Sequence, residues 1–357
     1  MRTGMLVAAA LIAAALSACG GGSSGAPPVR ATPEPISPPT YTTTPVANAS
    51  GFRMAPVDGD RLAVAVASDG RIAFASPFMY GVLVVNGPVS TFNGSLVNNA
   101  LSAAPVSYGR GADGDLYSAW VGLSAPTVFK ESSGAKWILA PPGCSPGCDP
   151  ARAWPTAILA GPDGATWVVT TGGLLRLNPD GTTTRLAPAA AQTVLWDAVV
   201  GPDNAFWVVD QLGAIERIPL TGAPTAFSVG GQPSRIAPGW DGTLWFLDPV
   251  NGVRRMTTSG AVATMVPPPS GGFTAGDAIA QGADHALWFT EANANKLGRV
   301  SLGGALNEFS AAAGGDSPAG IASAPDGSLY FMEQNRAGVL VVHAVPSQAA
   351  GAVSVGF

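Results

Sequence analysis

A short pattern recurs seven times along this chain, and its spacing constrains the fold more than any other feature. Each copy joins an Asp-Gly-like turn to a burst of apolar and aromatic residues. The copies are SDGRIAF, ADGDLYS, PDGATWV, PDNAFWV, WDGTLWF, ADHALWF and PDGSLYF, which begin at residues 68, 112, 162, 202, 240, 283 and 325. Their aspartates lie 38 to 50 residues apart, the length of one four-stranded blade. We therefore predict an all-β fold, a seven-bladed β-propeller of four-stranded blades over residues 51–357.

The composition agrees with a globular chain made of many short strands. The chain is 47% hydrophobic and only 11% charged, and its 46 Gly and 32 Pro lie between short apolar runs, as is typical of tight connections between strands. Its 18 basic residues are outnumbered by 23 acidic ones and form no cluster that could neutralise a phosphate backbone. The sequence therefore predicts no nucleic-acid partner. Separately, we expect the protein to be a monomer.

The repeat also assigns roles inside each blade. Asp-Gly turns suit type I′ hairpins, whose positive φ angles favour Gly, Asn and Asp, and His285 takes one such glycine position, which argues against a catalytic role. Large rings recur at one position of the second strand and are predicted to pack between blades. They are Tyr117, Trp167, Trp207, Trp245, Trp288 and Tyr330. We expect the C-terminal AGAVSVGF to form the outer strand of the last blade, unless Tyr41 to Pro45 adds a strand at that seam.

The N-terminal segment has the pattern of an export signal. Residues 1–19 carry Arg2, an apolar run and a small-residue ending, LSAC, which is too short for a membrane span. The ending resembles the lipobox of bacterial lipoproteins, so Cys19 is predicted to be acylated; the alternative is a plain secretory signal. Residues 20–50 are rich in Gly, Ser, Pro and Thr and are predicted to be a flexible tether. We expect an exported protein, lipid-anchored in the cell envelope, on the periplasmic side of the outer membrane or on the cell surface.

Two further cysteines, Cys144 and Cys148, flank a Ser-Pro-Gly turn. In an oxidising compartment, thiols this close are expected to form a disulfide. The alternative, a metal site, would need two more soft or imidazole ligands nearby. We therefore favour the disulfide.

The clearest repeats resemble a known family. LWFTEANANKLGRV, from residue 287, and SPAGIASAPDGSLYFME, from residue 317, are similar to the repeat of the streptogramin B lyases, also called virginiamycin B lyases. The resemblance implies a seven-bladed propeller that opens a cyclic antibiotic ester by elimination, with a magnesium ion. It spans residues 55–357 and is sharp only in the last two blades. Fold transfers between relatives more reliably than chemistry.

The resemblance also places the family's essential histidines at the start of the first strand of the last two blades. Here those positions hold Asp277 and Ala319. The other histidine, His343, falls on a later strand, away from that face. An aspartate of ordinary pKa, near ~4, is a weak base at neutral pH. The family mechanism is therefore not expected, and the catalytic residues stay unknown.

An acidic position at the end of the second strand recurs in consecutive blades. Blade by blade it holds Ser76, Trp120, Thr170, Asp210, Asp248, Glu291 and Glu333. Together with Asp277, the acids are expected on one face beside the central channel. Hard oxygen ligands favour Mg²⁺ or Ca²⁺, so we predict a cation or ligand site of Asp277, Glu291 and Glu333, with Asp210 and Asp248 as an outer arc and Asn293 and Asn335 as neutral donors. The alternative is that each acid only caps its own loop.

Three functions follow from these observations. The first is a lipid-anchored module that binds a small molecule or a protein at the channel face, or acts as a scaffold. The second is a lyase-like or hydrolytic enzyme that uses the remaining carboxylates and a divalent metal. The third is a structural component of the envelope without a small-molecule site.

Overall fold

The computed structural model describes most of the chain between residues 41 and 346. The described ranges are 41–47, 63–75, 79–86, 89–96, 104–121, 123, 125–139, 154–189, 194–274, 276–310, 317–335 and 338–346. All of them lie in one compact unit, Pro39–Phe357. Within these ranges, no helix has both the length and the apolar character needed to cross a membrane.

The described residues form seven antiparallel sheets of four strands each. Blades one to three consist of β2 (Ala63–Val66), β3 (Ile72–Ala75), β4 (Met79–Asn86) and β5 (Val89–Leu96); β6 (Ala104–Arg110), β7 (Leu116–Val121), β8 (Thr127–Lys130) and β9 (Lys136–Ile138); and β10 (Pro155–Ala160), β11 (Thr166–Thr170), β12 (Gly173–Leu177) and β13 (Thr183–Leu186). Blades four and five consist of β14 (Leu195–Val200), β15 (Phe206–Asp210), β16 (Ala214–Ile218) and β17 (Thr225–Ser228), then β18 (Arg235–Pro238), β19 (Leu244–Asp248), β20 (Gly252–Met256) and β21 (Val262–Val266).

Blade six has four strands and one short 3-10 helix. It consists of β22 (Ile279–Gln281), β23 (Leu287–Glu291), β24 (Lys296–Val300) and β25 (Leu306–Ser310), with a single 3-10 turn at Ala292–Ala294 between β23 and β24. Blade seven contains β26 (Pro318–Ser323), β27 (Leu329–Asn335), β28 (Gly338–Pro346) and, from the other end of the chain, β1 (Tyr41–Ala47).

The seven sheets close into a ring. The first strand of each blade contacts the first strands of both neighbours, and β26 of blade seven contacts β2 of blade one. The first strands therefore surround one central axis, and the other strands follow outward in chain order. This arrangement confirms the seven-bladed propeller predicted from the repeat.

The seam of the ring corrects one prediction. The outer strand of blade seven is β1, which pairs antiparallel with β28 from Tyr41 opposite Pro346 to Ala47 opposite Val341. The C-terminal AGAVSVGF lies outside the described residues, and the alternative strand at Tyr41 to Pro45 is confirmed. Seven residues assigned to the tether thus belong to a sheet, because the Thr-rich run can pair its backbone along the free edge of β28.

The turns keep the predicted glycine position but are not of the predicted type I′, because among the described residues no turn aspartate has positive φ. In blade four the amide of Gly201 donates to the carbonyl of Ala205 at 2.9 Å, and the amide of Asn204 donates to the carbonyl of Gly201 at 3.1 Å. This is the pattern of a three-residue loop, in which a type I turn is followed by one residue of positive φ. The glycine position of the Asp-Gly turns has positive φ, including 53° at Asn204 and 61° at His285. His285 stacks on Trp240, with ring centroids 4.9 Å apart. Its position is therefore explained by the turn and by this contact.

The recurrent aromatic residues form the core between blades. Trp207, Trp245 and Trp288 are among the largest fully buried side chains. Each packs against the blade that follows its own: Trp207 against Phe246, and Trp288 against Phe331. These rings fill the wedge between neighbouring sheets, as predicted.

Candidate functional site

The strand registers bring the start of the first strand beside the end of the second strand. Leu195 lies opposite Asp210 in blade four, and Pro318 lies opposite Glu333 in blade seven. In blade six the amide of Thr290 donates to the carbonyl of Ala278 at 3.1 Å. The predicted shared face therefore exists, and it carries the acidic positions.

Asp248 is a fully engaged carboxylate. It is 0% exposed, and its Oδ1 accepts from the amides of Val250 at 3.0 Å and Asn251 at 3.1 Å. Its Oδ2 accepts from Nδ2 of Asn251 at 2.9 Å and from Nη1 of Arg254 at 3.2 Å. Burial alone would raise the pKa of Asp248, but the hydrogen bonds from Asn251 and the loop amides hold it below its usual value. Asp248 thus caps the loop between β19 and β20.

Asp210 has the same arrangement one blade earlier. Its Oδ1 accepts from the amides of Leu212 and Ala214, both at 2.8 Å. Its carboxylate also lies beside Glu216 of β16, which is buried and accepts from the amide of Ala189 at 2.7 Å. Burial and then the nearby Asp210 raise the pKa of Glu216. Asp210 is therefore a loop cap that faces a second acid on strand three.

Asp277 is buried at the start of blade six. It is 0% exposed; its Oδ2 accepts from the amide of Thr274 at 2.5 Å and its Oδ1 from the amide of Ala292 at 2.8 Å. Burial raises its pKa, although these hydrogen bonds oppose the shift. The side chain ties the segment before β22 to the loop after β23.

Glu291 differs from the other acids because one of its oxygens lacks a partner. The residue is 2% exposed, and its buried Oε2 accepts no hydrogen bond within the described part of the chain. Burial, and after it the negative charge of Glu308, raises the pKa of Glu291 to about 7. Glu308 itself pairs with Lys296 at 2.7 Å. Glu291 is thus a carboxyl that gains or loses a proton near neutral pH.

The side chains of these acids point towards the third strand of their own blades and not towards the central axis. Asp210 faces Glu216, Asp248 faces Arg254, and Glu291 lies over Gly298, whose added Cβ would come 2.8 Å from Oε1 of Glu291. The three partners occupy one position on the third strand of their blades, whereas the first strands surround the axis. These acids are therefore directed away from the channel.

The predicted cation site finds little support in this geometry. Among the described side chains, no three His, Cys, Asp or Glu residues come together as a metal ion would require, and one of the three predicted ligands, Glu333, is not among those side chains. Asn293 donates to the carbonyl of Gly271 at 2.8 Å. The side chains of Glu333 and Asn335 lie outside the described part, as do Cys19, Cys144 and Cys148, so the disulfide and the lipid anchor stay predictions.

The two positions that hold histidine in the family adjoin each other. The amide of Gly320 donates to the carbonyl of Gly276 at 2.9 Å, and a Cβ on Gly276 would lie 3.5 Å from that of Ala319. Asp277 and Ala319, each next to one of these glycines, therefore lie where blades six and seven meet. His343 lies on β28, opposite Tyr330 of β27, away from that junction.

Sequence reasoning missed the acids that contact the predicted site from neighbouring strands. Glu216 and Glu308 lie on the third and fourth strands of their blades. A signal was available for Glu216, because it interrupts the apolar stretch of AIERI at a position that strand alternation turns inward. Glu308 has no such signal, since an acid on an outer strand is ordinary.

The ring of seven four-stranded sheets defines the class of this protein: a seven-bladed β-propeller with a candidate site where its sixth and seventh blades begin. The sequence profile described as "Virginiamycin B lyase family" matches residues 148–345, which is more than half of the chain. The chain belongs to the virginiamycin B lyase family.

Individual relatives agree with this assignment. The chain is 32% identical over 185 residues to "Virginiamycin B lyase" of Nocardia farcinica, a segment that covers 51% of this chain and 63% of that relative. A streptogramin B lyase structure is similar at 21% identity and a TM-score of 0.63, covering 85% of this chain and 97% of its own. A catalytically inactive virginiamycin B lyase of Staphylococcus aureus, solved with quinupristin, is similar at 23% identity and a TM-score of 0.66, covering 86% and 99%. The two structures show the shared fold.

Proposed function

We propose that this protein is a ligand-binding propeller of the cell envelope that holds a cyclic peptide-like molecule without opening it. The observation that supports this proposal most is that the two positions where the family has histidine hold Asp277 and Ala319, neither of which is placed to accept a proton from a ligand. Alanine has no group that can accept a proton. Asp277 has no exposed surface, and both of its oxygens accept backbone hydrogen bonds.

Elimination requires a general base, and the positions of Asp277 and Ala319 provide none that is free to react. A general base must lie within hydrogen-bond reach of the proton that it removes. The carboxylate of Asp277 would first have to leave two loop amides, and a buried amide without a partner costs about 1–3 kcal/mol. The residue therefore stabilises the site rather than reacting there.

The choice of ligand class rests on the family. The structure of the Staphylococcus aureus relative holds quinupristin, which makes quinupristin the appropriate probe. The meeting point of blades six and seven, next to Gly276 and Gly320, is the surface that we assign to it. Gly276 is partly exposed and has no side chain that would keep a ligand away from the backbone.

The test uses the full chain in detergent. Calorimetry should detect quinupristin binding, and chromatography should recover the ring intact after prolonged incubation with or without Mg²⁺ or Ca²⁺. Gly276→Trp, at a partly exposed position of this junction, should abolish binding, whereas Leu212→Trp, at an exposed loop position of blade four, should leave it unchanged. Ring opening by the wild type would contradict the lack of catalysis, and an absence of binding would contradict the ligand class.

Glu291 supports a second candidate function, an enzyme that uses a residual carboxyl. Its pKa of about 7 suits proton transfer near neutral pH, although a substrate would have to reach a side chain that is 2% exposed. In that case Glu291→Gln should abolish turnover of a cyclic ester and leave binding intact. Equal turnover by the wild type and Glu291→Gln would exclude this candidate.

The location of the protein is part of the proposal and rests on the sequence. The LSAC ending at Cys19 supports acylation of that residue. A fatty-acid analogue should label the wild type, and Cys19→Ser should remove the label and release the protein from membranes. Unlabelled wild type in the soluble fraction would contradict the lipid anchor.

A further inference from the structure

Blade two departs from the other blades at a core position on its second strand. The third residue of β7 is Ser118, which is 0% exposed. The other six blades carry an apolar residue at this position of the second strand. These residues are Phe74, Val168, Val208, Phe246, Phe289 and Phe331. A buried hydroxyl in their place needs hydrogen-bond partners that the fold alone does not require.

A second departure lies directly after the next strand, beside the first. The amide of Glu131 donates to the carbonyl of Leu116 at 2.9 Å, which places Glu131 opposite the first residue of β7. In five other blades the residue opposite that position is apolar: Leu83, Ile218, Met256, Val300 and Ala344. An acid and a hydroxyl thus occupy two positions that hold apolar residues in the sister blades.

The two polar residues line a cavity of about 330 Å³. Its apolar walls include Trp120, Phe129 and Leu123, and the rings of Trp120 and Phe129 meet edge to face with centroids 6.0 Å apart. Both aromatic residues are half-buried. This combination of aromatic walls and a few polar groups is typical of small-molecule sites, and the volume lies at the small end of their range.

The cavity lies on the side of blade two that faces blade one. Leu116, on the same side of β7 as Ser118, packs against Ala65 and Ala73 of blade one. Tyr117 and Ala119 point to the opposite side and pack against blade three. This site is therefore separate from the junction of blades six and seven.

The polar groups of the cavity are oriented towards one carboxylate. Nε1 of Trp120 donates to Oγ of Ser118 at 2.8 Å, and Ser118 donates in turn to Oε1 of Glu131. This chain fixes the indole ring and the carboxylate together. Burial raises the pKa of Glu131, which the hydrogen bond from Ser118 opposes.

Among the described residues around the cavity, negative charge is in excess. Lys130 pairs with Asp113 at 2.7 Å, and Arg71 of blade one pairs with Asp115 at 2.5 Å and with Asp69 at 2.7 Å. Both cations are thus already neutralised by acids. Glu131 forms no ion pair among the described residues, so its charge is available to a ligand.

We propose that this cavity binds a small organic cation, an ammonium group on a compact apolar body. The ammonium group pairs with Glu131 and lies against the faces of Trp120 and Phe129, which attract cations. The apolar body fills the remaining space beside Leu123. An anion is excluded by the surplus of carboxylates.

The experiment compares three probes of one shape on the full chain in detergent: benzylammonium, benzyl alcohol and benzoate. Ligand-observed NMR should show benzylammonium bound at least tenfold more tightly than benzyl alcohol, with no benzoate bound. Glu131→Gln keeps the shape and removes the charge, so it should reduce the preference for benzylammonium to less than threefold.

A second variant separates loss of the site from loss of the fold. Ser118→Val with Glu131→Leu installs the residues that the sister blades use, so the protein should melt no lower than the wild type while benzylammonium binding disappears. Equal binding of benzylammonium and benzyl alcohol by the wild type would overturn the proposal. So would unchanged benzylammonium binding in either variant, or no binding of any probe at millimolar concentration.

Discussion

At the scale of the residue, Glu291 makes the stability of the fold depend on pH. Its folded-state pKa of about 7 exceeds the ordinary glutamate value, so the folded chain holds a proton that the unfolded chain releases. The stabilisation is complete below the ordinary pKa and is lost as the pH rises to about 7. We expect wild type to lose up to about 3 kcal/mol of unfolding free energy between pH 5 and pH 8 relative to Glu291→Gln.

Denaturant unfolding at a series of pH values measures this difference, and the neighbouring acid provides the control. Glu308→Gln removes the charge that contributes to the raised pKa of Glu291, so the pH dependence should become smaller without disappearing. Parallel curves for wild type and Glu291→Gln would show that Glu291 titrates normally.

Gly298 makes room for Glu291 and is expected to tolerate no side chain. An added Cβ would overlap the ring of Phe289 and lie 2.8 Å from Oε1 of Glu291. Because forcing atoms into a packed core costs about 1–3 kcal/mol, Gly298→Ala should lower the unfolding free energy by that amount. Gly303→Ala is the matched control, since its Cβ would meet nothing nearer than Oγ of Ser301 at 3.9 Å. Equal effects of the two substitutions would refute this account.

At the scale of the element, the turn aspartate of blades two to six forms an ion pair with a basic residue of the third strand and so ties the turn to that strand. In blade four, Oδ1 of Asp203 accepts from Nε1 of Trp207 at 2.8 Å and Oδ2 accepts from Nε of Arg217 at 2.5 Å. Asp203→Ala leaves the buried indole N–H without a partner, so we expect a loss of about 1–3 kcal/mol in unfolding free energy. Asp180→Ala, in an exposed turn of blade three, should have a smaller effect. Thermal and denaturant melts of both variants check the order.

The turn pattern explains why the blades could be predicted and part of the candidate site could not. Asp, Gly and the ring four residues after the aspartate serve the local hairpin and the inter-blade core together, so their spacing alone reports the architecture. The direction of the acids is different, because it depends on which residue of the third strand lies opposite. Only the packing of the side chains shows that Glu291 lies over Gly298 and that Glu131 borders a cavity.

At the scale of the whole molecule, β1 completes blade seven as its outer strand. Its Thr-rich sequence lacks the apolar alternation of a half-buried strand, so the sequence places it in the tether and offers a strand at Tyr41 to Pro45 only as the alternative. A chain that begins at Pro39 keeps β1 and should melt at the temperature of the chain that begins at Gly20. A chain that begins at Asn48 exposes the edge of β28 and should melt several degrees lower. Equal melting temperatures for all three chains would show that β1 does not stabilise the ring.

Blade seven has a consequence for how the polypeptide folds as it is made. Its outer strand comes first in the described chain and its neighbour β28 comes last, so this pairing has nearly the longest sequence separation that the chain allows. Such distant contacts form slowly, and no growing chain can make this one before β28 has been synthesised. A product that stops before β28 leaves β1 and one edge of β27 unpaired, which proteases can attack. Pairing of β1 with β28 thereby protects only those chains that have been synthesised as far as β28.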